Sequence, residues 1–270
     1  MKNTAVVALS LSLGLCAFCL SFDSHAKAQT AAAEPSRKPV VVELFTSEGC
    51  STCPPADALL QKLQEQQPIA GADVIALEEH VDYWNSLGWT DPYSSAEYTQ
   101  RQAAYALALK NQEYTPQMVV DGRAQFIGSS ERDAAMEIGK AARSVQTDVT
   151  IASSKTDPKG SQEFSVAVGK LVANTPGDVA EVWLAVTEDG LESSVNRGEN
   201  SGQRLHHAAT LRSLRKIGVA DPNKTPSSFT SDPRLKLDSH WNADKLHVVV
   251  FVQEKKSRVI LGAASAKISH

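Results

Sequence analysis

The sequence predicts an α/β domain over residues 39–147, followed by an all-β, sandwich-like domain over 148–270. Two observations carry that reading. Strand-like and helix-like segments alternate up to about residue 147, as they do in layered sheets with parallel strands. Beyond it, short strand-like runs are separated by turn-rich segments such as Asp157-Pro158-Lys159-Gly160 and Glu188-Asp189-Gly190, the pattern of a sandwich. The composition suits both: 42% of the 270 residues are hydrophobic and 21% charged, which is ordinary for a globular chain.

The first residues read as a secretory signal. Met1 to Thr4 is a short basic start, and Ala5 to Leu20 is apolar apart from Ser10 and Ser12. Ala26-Lys27-Ala28 supplies an A-x-A cleavage site, so the mature chain is expected to begin at Gln29. The bulky Leu15 and Phe18 before Cys16 and Cys19 argue against a lipoprotein. Residues 29–38 are a flexible lead. No later apolar run has the length of a membrane span, the best being Leu246 to Val252. The expected location is periplasmic or secreted. With a net charge of −4 the chain has no global basic field, which argues against nucleic acid as a partner.

Val40 to Phe45 is a β-branched run that reads as a buried strand. Thr46 to Gly49 is a turn, and Cys50-Ser51-Thr52-Cys53 leads into a helix carrying Leu59, Leu60 and Leu63 on one face. Pro54 and Pro55 are tolerated only in the first turn of that helix, which puts the cysteines at its amino end. Val74 to Leu77 is a second strand running into Glu78 to Trp84, and Asn85 to Pro92 is loop. Ser94-x-x-Glu97 is a capping box before a helix with Tyr98, Tyr105 and Leu109. Asp121-Gly122 between Tyr114–Val120 and Arg123–Gly128 marks a hairpin. Ser129-Ser130 then caps a helix to about Val145. In the second half, 149–151, 163–168, 182–186, 246–252 and 258–263 read as strands. Residues 203–217 are open between helix and strand.

Loss of the signal removes Cys16 and Cys19, leaving Cys50 and Cys53 in C-x-x-C spacing. One bridge across so short a loop removes little unfolded-chain entropy. Redox chemistry or metal binding is therefore the stronger reading. At a helix amino end the macrodipole favours a thiolate, the reactive form. Cys50 is expected to be exposed and to attack, and Cys53 to resolve the mixed disulfide. No second C-x-x-C supplies the rest of a zinc finger.

Together, Val40–Phe45, Cys50-Ser51-Thr52-Cys53-Pro54, Thr115-Pro116 and the Asp121-Gly122 hairpin resemble the thioredoxin superfamily. The longer segments 42–57, 80–84, 87–92 and 114–122 resemble the secreted bacterial family called domain of unknown function 1223, which has a predicted thioredoxin-like fold and no established substrate. The resemblance implies an α/β thioredoxin-like domain, a cis bond before Pro116, and a substrate groove at Thr115 and Pro116 facing the cysteines. It departs from thioredoxin in having Gly49 before the first cysteine and Ser51-Thr52 between the pair, positions that tune redox potential. Glu43 stands near the place of thioredoxin's buried carboxylate, where it could relay a proton to Cys53; a strand-end surface Glu is the plainer alternative.

His80, with Asp82, is expected at the carboxyl end of the second strand, on the edge that carries Cys50. It could stabilise the thiolate, bind a metal, or serve as an ordinary loop histidine. Tyr83, Trp84, Trp89 and Tyr93 could roof the site. Arg197 to Asn200 and Arg204 to His207 form a polar cluster: a docking surface, a second metal site, or loop residues and a solvated strand face.

The expected function is thiol–disulfide exchange by Cys50 and Cys53 with protein thiols or disulfides and a separate redox partner, without an organic cofactor. One alternative is a copper-binding or copper-delivery module using Cys50, Cys53 and His80, with Cu(I) as the soft ion. Another is a non-catalytic interaction protein.

Overall fold

The structure, a computed structural model, describes residues 37–156, 161–172, 175–220 and 229–268. The signal segment, its cleavage site and nearly all of the lead lie outside the described residues. No helix among the described residues is long and apolar enough to cross a membrane.

The chain begins with strand β1 (Lys38–Thr46), helix α1 (Pro54–Gln66) and strand β2 (Ala72–His80). A 3-10 turn (Tyr83–Leu87), helix α2 (Ala96–Leu109), strands β3 (Gln117–Val120) and β4 (Ala124–Ile127) and helix α3 (Glu131–Ala141) follow. Next come β5 (Val149–Thr156), β6 (Ser161–Val168), β7 (Ala180–Glu188), β8 (Leu191–Ser194), β9 (Arg204–His207) and β10 (Thr210–Ala220). The chain continues through β11 (Phe229–Ser231), β12 (Arg234–Lys236), a short 3-10 turn, β13 (Leu246–Glu254) and β14 (Ile260–Lys267). The ambiguous 203–217 segment is thus strand.

One mixed sheet of eight strands runs β14-β13-β7-β10-β2-β1-β3-β4 and draws on both halves of the chain. β1 and β2 are parallel over their whole length, and β3 is antiparallel to β1. The link between the halves is narrow: β10 meets β2 in parallel at Thr210 opposite Glu78, reinforced by the Glu78 N–H donating to the Ala209 carbonyl at 3.0 Å. A second sheet has the order β11-β6-β12, with β5 also paired to β6, and β8 pairs with β9.

This corrects the expected fold class. Among the described residues three α-helices accompany fourteen strands. The fold is β-rich around one large mixed sheet, rather than an α/β thioredoxin-like domain followed by a separate sandwich. Local alternation of strand and helix reports the order of elements, but not which distant strand takes the free edge. Here that strand is β10.

Side-chain alternation along β1 and β2 sets the two faces. Val40, Val42, Leu44, Val74 and Ala76 pack on one face with Leu59, Leu60 and Leu63 of α1 and Ile138 of α3. Val41, Ile75 and Leu77 on the other face meet Ala185, Leu211, Val249, Phe251 and Ala263. That core is built from both ends of the chain. The far face of β7 and β13 packs on Phe164, Val166 and Val168 of β6. α2 is capped one residue later than the capping-box reading: the Ser95 side chain accepts from the Glu97 N–H, while Ser94 donates to the Asp91 carbonyl.

Candidate functional site

Cys50 and Cys53 form a disulfide with their Cα atoms 5.4 Å apart. Cys53 is the residue before the first turn of α1, whose opening positions are Pro54 and Pro55. Because prolines lack N–H groups, the helix offers few free donors there. The Thr52 hydroxyl, 3.4 Å from Cys50 Sγ, is a side-chain donor available to the sulfur.

The expectation that Cys50 is exposed is corrected. Both cysteines are fully buried, and only Ser51 and Thr52 between them face solvent. The loop between β8 and β9 is bonded to the cysteine loop. Asn200 Nδ2 donates to the carbonyls of Glu48 at 2.8 Å and Cys50 at 3.0 Å. The Glu199 carboxylate accepts from the Ser51 N–H at 3.1 Å and from its hydroxyl at 2.6 Å. The polar cluster singled out at 197–200 thus docks onto the cysteine loop from within the same chain.

The Thr115–Pro116 bond is cis. Trp84 ties this loop to the cysteine loop. Its Nε1 donates to Thr115 Oγ1 at 2.8 Å, and its Cβ lies where a Cβ on Gly49 would come within 3.0 Å. That contact gives a steric reason for glycine before Cys50. Gly128 fills a similar gap, since a Cβ there would lie 3.1 Å from both Pro116 Cβ and Ala56 Cβ. Pro116 therefore sits beside the first turn of α1.

Glu43 is buried, but on the face opposite α1. Its carboxylate is held by Arg101 Nε at 2.6 Å and by the Tyr105 hydroxyl. Arg101 also reaches Glu79 at 3.3 Å and Gln253 at 3.1 Å. Glu43 is therefore neither a surface residue nor a partner of Cys53. A buried carboxylate on the α1 face is Asp57, whose Oδ1 accepts from Thr46 Oγ1 at 2.6 Å. Burial and the charge of Glu78 raise its carboxyl to about 7. Asp82 is half-buried and accepts from the Thr99 hydroxyl at 2.6 Å, which fastens it to α2 rather than to the cysteines.

His80 is the last residue of β2, not part of the following loop, and is completely buried. Its Nδ1 lies 2.7 Å from Asp91 Oδ2, which also accepts from the Glu48 N–H at 2.8 Å. Its Nε2 faces Glu78 Oε2 at 3.7 Å. His207, at the end of β9, places Nδ1 3.1 Å from Glu78 Oε1 and Nε2 3.1 Å from Glu48 Oε1. Trp89 donates to the other Glu48 oxygen at 2.7 Å. Burial would lower the His207 imidazole, but the Glu78 charge and the two glutamate hydrogen bonds outweigh it and raise it to about 10. Burial would raise Glu78, but His207 and His80 together hold it down at about 2. Among the described residues Cys50 and Cys53 do not cluster with His80: the sulfurs are bonded to each other, and His80 faces Asp91 and Glu78.

Sequence reading gave no role to Glu48, Asp57, Glu78 or Asp91. One signal was available. On β2 the face that carries Val74 and Ala76 toward α1 continues through Glu78 and His80, two ionisable groups on a buried side.

The family described as "Protein of unknown function (DUF1223)" matches residues 41–253. The chain belongs to this family. No curated protein matches it. Among solved structures, this DUF1223 protein is similar to AGR_C_4864 of Agrobacterium tumefaciens, with 27% identity and a TM-score of 0.63 over 87% of this chain and 96% of that one. It is also similar to HBP35 of Porphyromonas gingivalis, with 18% identity and a TM-score of 0.63 over 86% of this chain and 76% of the other. The second likeness is one of fold alone.

Proposed function

We propose that this DUF1223 protein carries out thiol–disulfide exchange with protein thiols or disulfides at Cys50–Cys53, after export to the periplasm or beyond. The observation that carries the reading is the joining of three parts at one place. The disulfide stands at the amino end of α1, Trp84 bonds Thr115 while packing on Gly49 beside Cys50, and Gly128 lies between Pro116 and Ala56 of α1. The apolar leader supports export to a compartment where disulfides persist.

In the oxidising direction a substrate thiolate attacks Cys50 Sγ. The Cys50–Cys53 bond breaks and its electron pair leaves on Cys53 as thiolate. A second substrate thiolate then displaces Cys50 from the mixed disulfide. The substrate gains a disulfide and the protein is left with two thiols, so electrons balance. The Thr52 hydroxyl donates to the Cys50 thiolate. Burial of Cys50 adds a requirement: the Glu199–Asn200 loop must lift before a protein substrate reaches the sulfur.

Mixed-disulfide trapping tests this. Cys53→Ser should accumulate mixed disulfides through Cys50 when mixed with a reduced protein substrate and an oxidant, and Cys50→Ser should accumulate few. Equal trapping by both variants would overturn the assigned roles, and trapping by neither would overturn the reaction.

A further inference from the structure

Behind the cysteine loop lies a cluster that thiol–disulfide exchange does not use. We infer that Glu78, His80 and His207 form a binding site for a divalent transition-metal ion of the zinc class, separate from the two sulfurs. One ligand atom from each of the three residues lies within 4.8 Å of the others, and all three side chains are buried.

The fold assembles this set from two distant segments. Glu78 and His80 are two residues apart on β2, so they share a face. β9 ends at His207, and the chain then enters β10 beside β2 at the Thr210–Glu78 pairing. All three residues therefore gather at the carboxyl end of β2.

A second observation points to a ligand. His80 Nε2 is buried and has no hydrogen-bond partner among the described residues. A buried polar nitrogen without a partner is costly, and native proteins rarely leave one. It is aimed at Glu78, whose Oε2 lies 3.7 Å away, while Glu78 Oε1 is 3.1 Å from His207 Nδ1. Four-coordinate zinc with nitrogen and oxygen ligands at about 2.0–2.1 Å sets neighbouring ligand atoms roughly 3.3 Å apart. Each histidine nitrogen thus lies near that distance from one Glu78 oxygen, and the three ligand atoms, within 4.8 Å of one another, must draw together to close on an ion.

The outer partners have the arrangement that metal-binding histidines use. Each imidazole turns its other nitrogen to a separate carboxylate: Asp91 for His80 at 2.7 Å and Glu48 for His207 at 3.1 Å. Such partners fix the tautomer and leave the inward nitrogen free to ligate. The ion replaces the proton shared by His207 Nδ1 and Glu78. Two histidines and one glutamate form a borderline set that suits zinc and its neighbours rather than the soft Cu(I) of a thiolate site. Tyr93 packs edge-on against both imidazoles, at 5.4 and 5.5 Å, and also lines an open surface cleft with Arg212 and Trp241.

The test uses the full-length mature protein, stripped of metal and kept oxidised so that the sulfurs are unavailable. After incubation with Zn(II) and gel filtration, metal analysis should find one zinc per chain. Cobalt in place of zinc should give ligand-field bands without a sulfur charge-transfer band. His80→Ala and His207→Ala should abolish uptake, and a Cys50→Ser/Cys53→Ser double variant should retain it. Asp91→Asn and Glu48→Gln keep the packing and should weaken affinity by about 10–100-fold. These two decide the matter if either histidine variant fails to fold. Absence of stoichiometric uptake by the wild type, a sulfur band with cobalt, loss of uptake in the cysteine double variant, or unchanged affinity in both outer variants would each overturn the site. None of these results depends on whether Cys50 exchanges disulfides.

Discussion

Asn200 and Cys50 stand 150 residues apart in the chain, and the Asn200 side-chain amide donates to the Cys50 carbonyl at 3.0 Å. The same amide holds the Glu48 carbonyl at 2.8 Å. Through this one side chain the loop between β8 and β9 holds the backbone on which the disulfide is built.

Asn200→Ala removes both bonds. At about 1 kcal/mol each, their loss should raise the population of the open loop by roughly 10–30-fold. Reduction of the disulfide by a small dithiol under native conditions should quicken by a similar factor. An unchanged rate would show that the loop does not gate access.

Gly128 separates Pro116 from α1. In Gly128→Ala the new methyl would lie 2.7 Å from Leu44 Cδ1 as well as 3.1 Å from Pro116 and Ala56. Overpacking of this kind costs about 1–3 kcal/mol. Urea unfolding should show that loss, and mixed-disulfide formation by the Cys53→Ser background should slow as the two loops separate. Full stability with full exchange would place Pro116 outside the site.

Arg101 is the buried cation between Glu43 and Glu79. Arg101→Leu leaves two carboxyls facing each other without a counter-charge, a change that costs about 3–5 kcal/mol. Chemical denaturation at neutral pH measures it. A loss below about 1 kcal/mol would mean that the carboxyls re-pair or take up a proton at little cost.

Asp121 is buried at the β3–β4 turn, where its Oδ1 accepts from the Val41 N–H at 2.8 Å. Burial raises its carboxyl from the ordinary 3.8 to about 7, against the Val41 hydrogen bond and the Arg123 charge and with the help of Glu43. The folded state therefore holds this proton more tightly than the unfolded chain. Its contribution is fully present below about pH 4, declines as pH rises toward 7, and is gone above that. The span corresponds to about 4 kcal/mol. Asp121→Asn stays neutral throughout, so its stability relative to wild type should grow across that window. Urea titrations at pH 4, 5.5, 7 and 8 measure the trend, and parallel curves would count against it.

Much of the local structure was legible from sequence. Val40 to Phe45, the prolines after Cys53 and the Asp121-Gly122 pair marked their elements because each signal lies within a few residues of what it sets. Register and exposure were not legible. His80 stands beyond the apolar run, which stops at Leu77, yet β2 continues through Glu78 and Glu79; Glu78 finds partners when the chain returns at His207 and Thr210, while Glu79 is met by Arg101 of α2. Cys50 is expected to be exposed as the first cysteine of a C-x-x-C at a helix amino end, and its burial depends on segments far from it in the chain. Glu43 carried no mark of which face it would take, since a run buried on both sides has no alternation to read. The polar cluster at 197–207 was visible, but its partners at 48, 51 and 78 were not.

The meeting of β10 with β2 bears on the order in which the chain is made. Thr210 is synthesised 132 residues after Glu78. Until then β2 has a free edge, and Val41, Ile75 and Leu77 have Tyr98 of α2 but still wait for the partners that arrive with β7, β10, β13 and β14. Pairing across so long an interval is slow, and an open edge is a template for wrong pairing. A chain arrested near residue 147 would hold its cysteines without the loop that fastens their backbone and its β2 edge without β10. The interval between making Cys50 and making Asn200 is therefore the period in which the sulfurs are most open to other thiols and the chain most in need of shelter.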